Sequence, residues 1–150
     1  MRPYQKIVFL AVLGIEAIMA FTISGCSKIP DSPTVRFEVP NGYRGFLRIV
    51  EDSNGIEIEE KDRLALVKFP VTGLVKVKSL SIFRRYFIGR AQFADGLEIT
   101  FAAVEEKKVS GLTLWLLSQP VAPEIYLFLG TREEAALYRK EHPDIYRQKK

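Results

Sequence analysis

The chain has 150 residues, with 22 Lys or Arg against 18 Asp or Glu, a formal net charge of +4, and one cysteine. That length supports one domain with a sizeable core, and charge this mild and interspersed argues against a nucleic-acid binder, which concentrates its cations. Ordinary apolar and charged fractions argue against disorder or a multi-pass membrane protein, and a lone thiol leaves core burial, not disulfides, to carry stability.

Arg2 and Lys6 precede the apolar run IVFLAVLGI, and EAIMAFTI then leads to the small residues Ser24 and Gly25. This order of basic, apolar and small segments predicts a signal peptide over residues 1–25 with a short signal helix. A permanent anchor is the competing reading, because Ile7 to Ile23 approaches the roughly 20 residues that cross a bilayer. Glu16 weighs against it, since an acidic side chain near mid-span costs roughly 2.5–3.5 kcal/mol.

Ile23, Ser24, Gly25 and Cys26 form the sequence ISGC, which resembles a bacterial lipobox. The resemblance implies that the Cys26 thiol becomes a diacylglyceryl thioether and that cleavage after Gly25 leaves Cys26 as the mature N-terminus. Sulfur supplies the nucleophile, and small neighbours let the strand enter a protease site. One acyl chain holds a protein only marginally, whereas two or three give stable attachment. The competing reading is a buried structural cysteine. Ser27 and Lys28 stand where the resemblance would place Asp for inner-membrane retention, so the outer membrane is favoured. Residues 26–33, ending in SKIPDSP, read as a polar tether.

From Thr34 onward the pattern alternates. Val35, Phe37 and Val39 share one face of a strand opposite Thr34, Arg36 and Glu38, as expected for a half-buried strand. PNGY reads as a turn. Leu47 and Ile49 oppose Arg48, and the NG of DSNG predicts a hairpin into IEIE. RLALVKF, the turn PVTG and LVKVKS follow, with Val75 and Val77 inward and Lys76 and Lys78 outward. YFIGRAQF and LEITF are joined by ADG, another hairpin signal, while LTLWLLS and EIYLFL are apolar on both faces, which suits central or covered strands. Thr131 and Glu134 predict a capping box opening a helix over 132–141. The expectation is an all-β fold: a small antiparallel sandwich of about seven or eight strands, immunoglobulin- or transthyretin-like, with one short C-terminal helix, over residues 34–143. Residues 144–150 form a basic tail.

The stretches VPNGYRGFLRIVEDSNG, FPVTGLVKVKS and FLGTREEAALYRK resemble an uncharacterised family of bacterial lipoprotein-like domains, a domain of unknown function. Its markers, P-x-G-Y-x-G and G-T-x-E-E, are turn and packing positions. The resemblance implies a β fold and brings no catalytic residue.

Little chemistry is legible. His142 is the only histidine and sits at a helix end, where the helix dipole suits it. No HExxH, CxxC, Ser-x-x-Lys, P-loop or dinucleotide fingerprint occurs. No catalytic, metal or cofactor residues are assigned, and no cofactor is expected. Asp52, Asn54 and Glu57 lack the spacing of a calcium loop. The acidic clusters EIEEKD and VEEKK lie beside turns, where solvated strand ends are expected. Tyr43, Tyr86, Trp115, Tyr126 and Tyr138 could stack on sugars but suit core or rim positions. Arg84, Arg85 and Arg90 in FRRYFIGR, like Arg147, Lys149 and Lys150 in the tail, suit solvated faces or an anionic surface.

Two functions from different classes stand. The first is a noncatalytic, lipid-anchored extracytoplasmic module, held to the membrane through Cys26 and contacting an envelope protein or polysaccharide. The second is a carboxylate-dependent hydrolase acting on envelope polysaccharide. A cavity with convergent acidic groups would favour the hydrolase, and an exposed aromatic or apolar patch would favour the binding module.

Overall fold

The computed structural model describes residues 32–117 and 124–146. The expected signal peptide, the lipobox residues Ile23, Ser24, Gly25 and Cys26, residues 26–31 of the tether and residues 147–150 of the tail lie outside the described residues.

Nine strands and one helix make up the described chain. They are β1 (Thr34–Val39), β2 (Gly45–Ile56), β3 (Glu60–Lys61), β4 (Leu64–Lys68), β5 (Leu74–Val77), β6 (Ile88–Phe93), β7 (Glu98–Ala103), β8 (Thr113–Leu116), β9 (Glu124–Gly130) and α1 (Arg132–Glu141). The strands form one curled sheet in the order β3-β4-β1-β6-β7-β8-β9-β2-β5. β7 joins its two halves, with Ile99 antiparallel to Ala91 of β6 and Thr100–Ala103 parallel to Thr113–Leu116 of β8.

The two turns that the sequence announces, PNGY and PVTG, are not hairpins. Each carries the chain from one half of the sheet to the other. β1 runs parallel to β4, and β2 runs parallel to β5, so β1-turn-β2 and β4-turn-β5 are two arches stacked side by side. Tyr43 N–H donates to the Pro40 carbonyl at 3.0 Å and Gly73 N–H to the Pro70 carbonyl at 2.9 Å. Gly42 and Gly73 take φ of 72° and 71°, the left-handed conformation that glycine adopts without steric cost. The arches are tied by Arg48 N–H donating to the Gly73 carbonyl at 2.8 Å.

Alternation explains the core between the arches. Val35, Phe37 and Val39 of β1 meet Leu47 and Ile49 of β2 and Val75 and Val77 of β5, all buried in one cluster. Their partners in sequence, including Arg36, Arg48, Lys76 and Lys78, point away. The ADG hairpin forms as expected, with Phe93 N–H donating to the Leu97 carbonyl at 2.8 Å and Gly96 at φ 90°.

The all-β expectation with one C-terminal helix describes this fold, but two of its details are corrected. Four of the eight strand pairings are parallel, and all nine strands share one sheet, instead of the seven or eight strands of two antiparallel sheets in an immunoglobulin- or transthyretin-like sandwich. Turn residues report that the chain reverses, not which strand it then pairs with. The second correction concerns DSNG, which lies inside β2 as an irregularity where Glu51 and Ile56 both oppose Val77. Gly55 is needed for close approach: a Cβ there would lie 2.5 Å from the Val77 carbonyl carbon, nearer than any side chain is tolerated.

α1 lies over the outer face of β8 and β9. Thr131 is its N-cap, with its hydroxyl accepting from Glu134 N–H at 3.3 Å while the Glu134 carboxylate accepts from Thr131 N–H at 2.7 Å. Two of the orphan donors of the first turn are thereby satisfied. Its Ala135 packs on Trp115, Leu117, Ala102 and Val104 beneath it to form a second buried cluster. Phe46, Phe128 and Tyr138 seal its edge, with ring centroids 5.0 Å apart for Phe46–Tyr138 and 5.3 Å for Phe128–Tyr138. This layer is why β8 and β9 are apolar on both faces.

Candidate functional site

Among the described residues, a concave feature with a mostly apolar lining lies at one end of the curled sheet. After β5 the chain makes a short 3-10 turn, Ser81–Phe83, that buries Ile82 and Phe83, then crosses to β6 through Arg84–Phe87. The turn is pinned by Glu51, whose carboxylate accepts from Leu80 N–H at 2.9 Å and from Arg84 at 3.1 Å. Arg85 pairs with Glu60.

Behind this crossing, Phe37 stacks on Phe101 with centroids 5.3 Å apart and on Phe83 at 6.2 Å, while Phe87 meets Phe83 edge-on at 5.7 Å. Gly89 makes room for this arrangement, because a Cβ there would collide with the Phe101 ring. A cavity of about 610 Å³ results, lined among the described residues by Phe83, Phe87, Phe101, Ala103, Leu116 and Ile125 within and by Arg84, Arg85, Tyr86 and Glu106 about its mouth. Its volume falls in the range of small-molecule pockets. Tyr86 is 69% exposed. Glu106 is the one carboxylate among the described lining residues, and it accepts from Ala103 N–H at 3.3 Å.

The other polar groups singled out in the sequence are engaged elsewhere. Asp52 accepts from Lys76 Nζ and from Asn54 N–H, both at 2.9 Å. The Lys76 bond chiefly, with that from Asn54, holds its carboxyl below the usual range. Glu57, Glu59 and Glu60 are exposed, and among the described residues no group of three His, Cys, Asp or Glu side chains is placed to hold a metal. Glu124 is shared by Arg48 and Tyr126. Burial pushes its pKa up, but the hydrogen bonds from Tyr126 and Arg48 and the guanidinium charge outweigh that and leave it lowered. Trp115 is buried, its indole N–H donating to the Gly130 carbonyl at 3.0 Å. His142 ends α1, its ring stacked on Tyr138 at 4.1 Å.

Thr131 and Glu134 lie at the helix start and are not among the described residues that line the cavity. The cavity was not singled out in the sequence. The cluster IFRRYF carried part of the signal, but the rest of the lining comes from β7, β8 and β9.

Among solved structures, the chain is similar to one provisionally described as a lipoprotein from Bacillus anthracis, at 15% identity and a TM-score of 0.39, covering 65% of this chain and 71% of that one. A likeness at that level transfers neither fold nor function. No protein-family model matches the chain, and no curated protein matches it.

Proposed function

We propose that this chain is a noncatalytic, lipid-anchored binding module of the bacterial cell envelope, outer membrane favoured, whose aromatic cavity takes a ligand or partner group. The anchor rests on ISGC, where Cys26 follows two small residues and a branched apolar one at the exit of an apolar run. The binding role rests on one observation: the cavity offers phenylalanine rings and a single carboxylate, Glu106, among its described lining residues. A hydrolase working through paired carboxyls needs a second one across the cleft, roughly 5–9.5 Å away.

The test is metabolic labelling with a fatty-acid analogue in cells expressing the full chain or Cys26→Ala. Label is expected on the parent and absent from the variant, since no other thiol exists in the chain. Equal labelling of both would sink the anchor.

A further inference from the structure

We propose that the outer face of β4, β1 and β6, which no element covers among the described residues, docks on the anionic phospholipid surface of the membrane that carries the anchor; this rests on the lipidation of Cys26 put forward above.

The register of the two parallel pairings builds the face. Leu66, Arg36 and Arg90 lie side by side in one row, and Leu64, Thr34 and Ile88 in the next. Adjacent strands stand about 4.8 Å apart, so the Arg36 and Arg90 backbones are immediate neighbours. Neither guanidinium has an ion pair among the described residues. The nearby carboxylate of Glu38 is taken by Lys68 at 3.1 Å, and Glu98, which shares a shallow hollow with Arg90, makes no ion pair with it. Two like charges at facing positions repel, and an anion laid across them removes that cost. The doublet is bordered by apolar side chains left in water: Leu64 is 38% exposed, Leu66 41% and Ile88 42%. Cations set among apolar groups match the headgroup and acyl boundary of an anionic leaflet.

Geometry brings the two together. The chain enters β1 at Thr34, in the same row as Leu64 and Ile88. Seven residues separate Thr34 from Cys26, which reach at most about 28 Å when fully extended. An acylated Cys26 therefore holds this edge of the domain close to the bilayer, and a weak surface contact acts at high effective concentration.

The test uses the full chain carrying Leu66→Cys, purified from membranes of a lipoprotein-processing host, labelled with bimane and reconstituted into phosphatidylcholine vesicles with or without phosphatidylglycerol. A matching Ser53→Cys label, on an exposed residue of β2, reports a surface outside the proposed contact. Mass spectrometry of Cys26 reads the anchor separately. With phosphatidylglycerol present, the Leu66 label is expected to shift to the blue and to be quenched by spin-labelled lipid, while the Ser53 label stays aqueous. Each arginine near an anionic surface contributes about fivefold, so Arg36→Gln with Arg90→Gln should lower the docked-to-free ratio roughly 25-fold. The glutamines relieve the like-charge pair, so a melting temperature no lower than the parent's in the double variant checks that folding is intact. The proposal is overturned if acylated protein gives the same Leu66 signal in both vesicle types, or if the double variant docks like the parent. A Cys26 without acyl mass overturns the anchor reading and the tether argument with it.

Discussion

The two outer faces of the curled sheet are built differently. Over β8, β9 and the start of β2, the outward positions are Trp115, Phe128, Tyr126 and Phe46, and α1 closes over them. Over β4, β1 and β6, the outward positions are Leu66, Arg36 and Arg90 with Leu64 and Ile88; among the described residues no element covers them, Arg36 being half-buried and the other four exposed. The inner faces of both halves feed one core. A strand that is apolar on both sides needs a second layer, because an uncovered aromatic face exposes hundreds of square ångströms of apolar surface; a strand that alternates can stand alone. The helix is therefore a lid for one half only, and its place is dictated by β8 and β9.

The largest effect expected from this contrast is at Trp115, which has 0% exposure beneath the helix and whose indole donates to the Gly130 carbonyl. Trp115→Ala should destabilise the domain by about 3–5 kcal/mol, lowering its melting temperature by roughly 10–20 °C. Trp115→Phe keeps most of the ring and removes the donor, so it isolates the buried carbonyl left unpaired, about 1–3 kcal/mol. Thermal melts followed by circular dichroism decide the matter. A loss below about 1 kcal/mol for Trp115→Ala would mean the helix-covered face is not a second core.

That contrast was partly legible beforehand. LTLWLLS and EIYLFL, apolar on both faces, marked strands that need covering, and the Thr131–Glu134 spacing marked where a helix could begin. Val35, Phe37 and Val39, like Val75 and Val77, declared their inward face by period two alone. The partners were not legible. Nothing local in Arg36 or Arg90, 54 positions apart, says that β1 and β6 run parallel in register, so the arginine doublet emerges only with the topology. The cavity was hidden for the same reason: Phe83 and Phe87 sit near each other in sequence, while Phe101, Leu116 and Ile125 arrive from three strands. At Gly55 the local signal misled, since an NG pair favours a turn but a glycine is equally needed where two backbones meet.

A smaller effect separates the helix from the surface it covers. Thr131→Ala removes the hydroxyl that accepts from Glu134 N–H and should cost ~1 kcal/mol, a few degrees in melting temperature. The carboxylate half of the box survives that change. The Thr131 N–H bond, with Arg44 at 2.6 Å, holds the Glu134 carboxyl below its ordinary 4.5. A depressed folded-state pKa contributes stability above the unfolded value that is lost as pH falls through the folded one. The Thr131 hydroxyl adds least to that lowering, so parent and variant should lose nearly the same Glu134 contribution as pH drops below about 4.5. Curves that converge there would show that the hydroxyl and carboxylate act as one coupled unit, not as two separate caps.

The smallest effect is expected on the uncovered face, and its sign is the informative part. Arg36→Gln leaves Arg90 without a like-charged neighbour in register, and no ion pair of Arg36 is lost among the described residues. Cross-strand repulsion of this kind is worth a few tenths of a kcal/mol, so the variant should melt about 1 °C higher at low ionic strength. Shortening the side chain also removes some aliphatic packing against the sheet, a salt-independent loss. The two contributions separate by titrating salt. The Debye length falls from about 10 Å at 0.1 M to about 3 Å at 1 M, so the gain should shrink towards zero, or turn slightly negative, as salt rises. A variant that melts lower than the parent at low salt and recovers at high salt would show that Arg36 makes a favourable charge contact, in which case the two faces differ in covering but not in electrostatic balance.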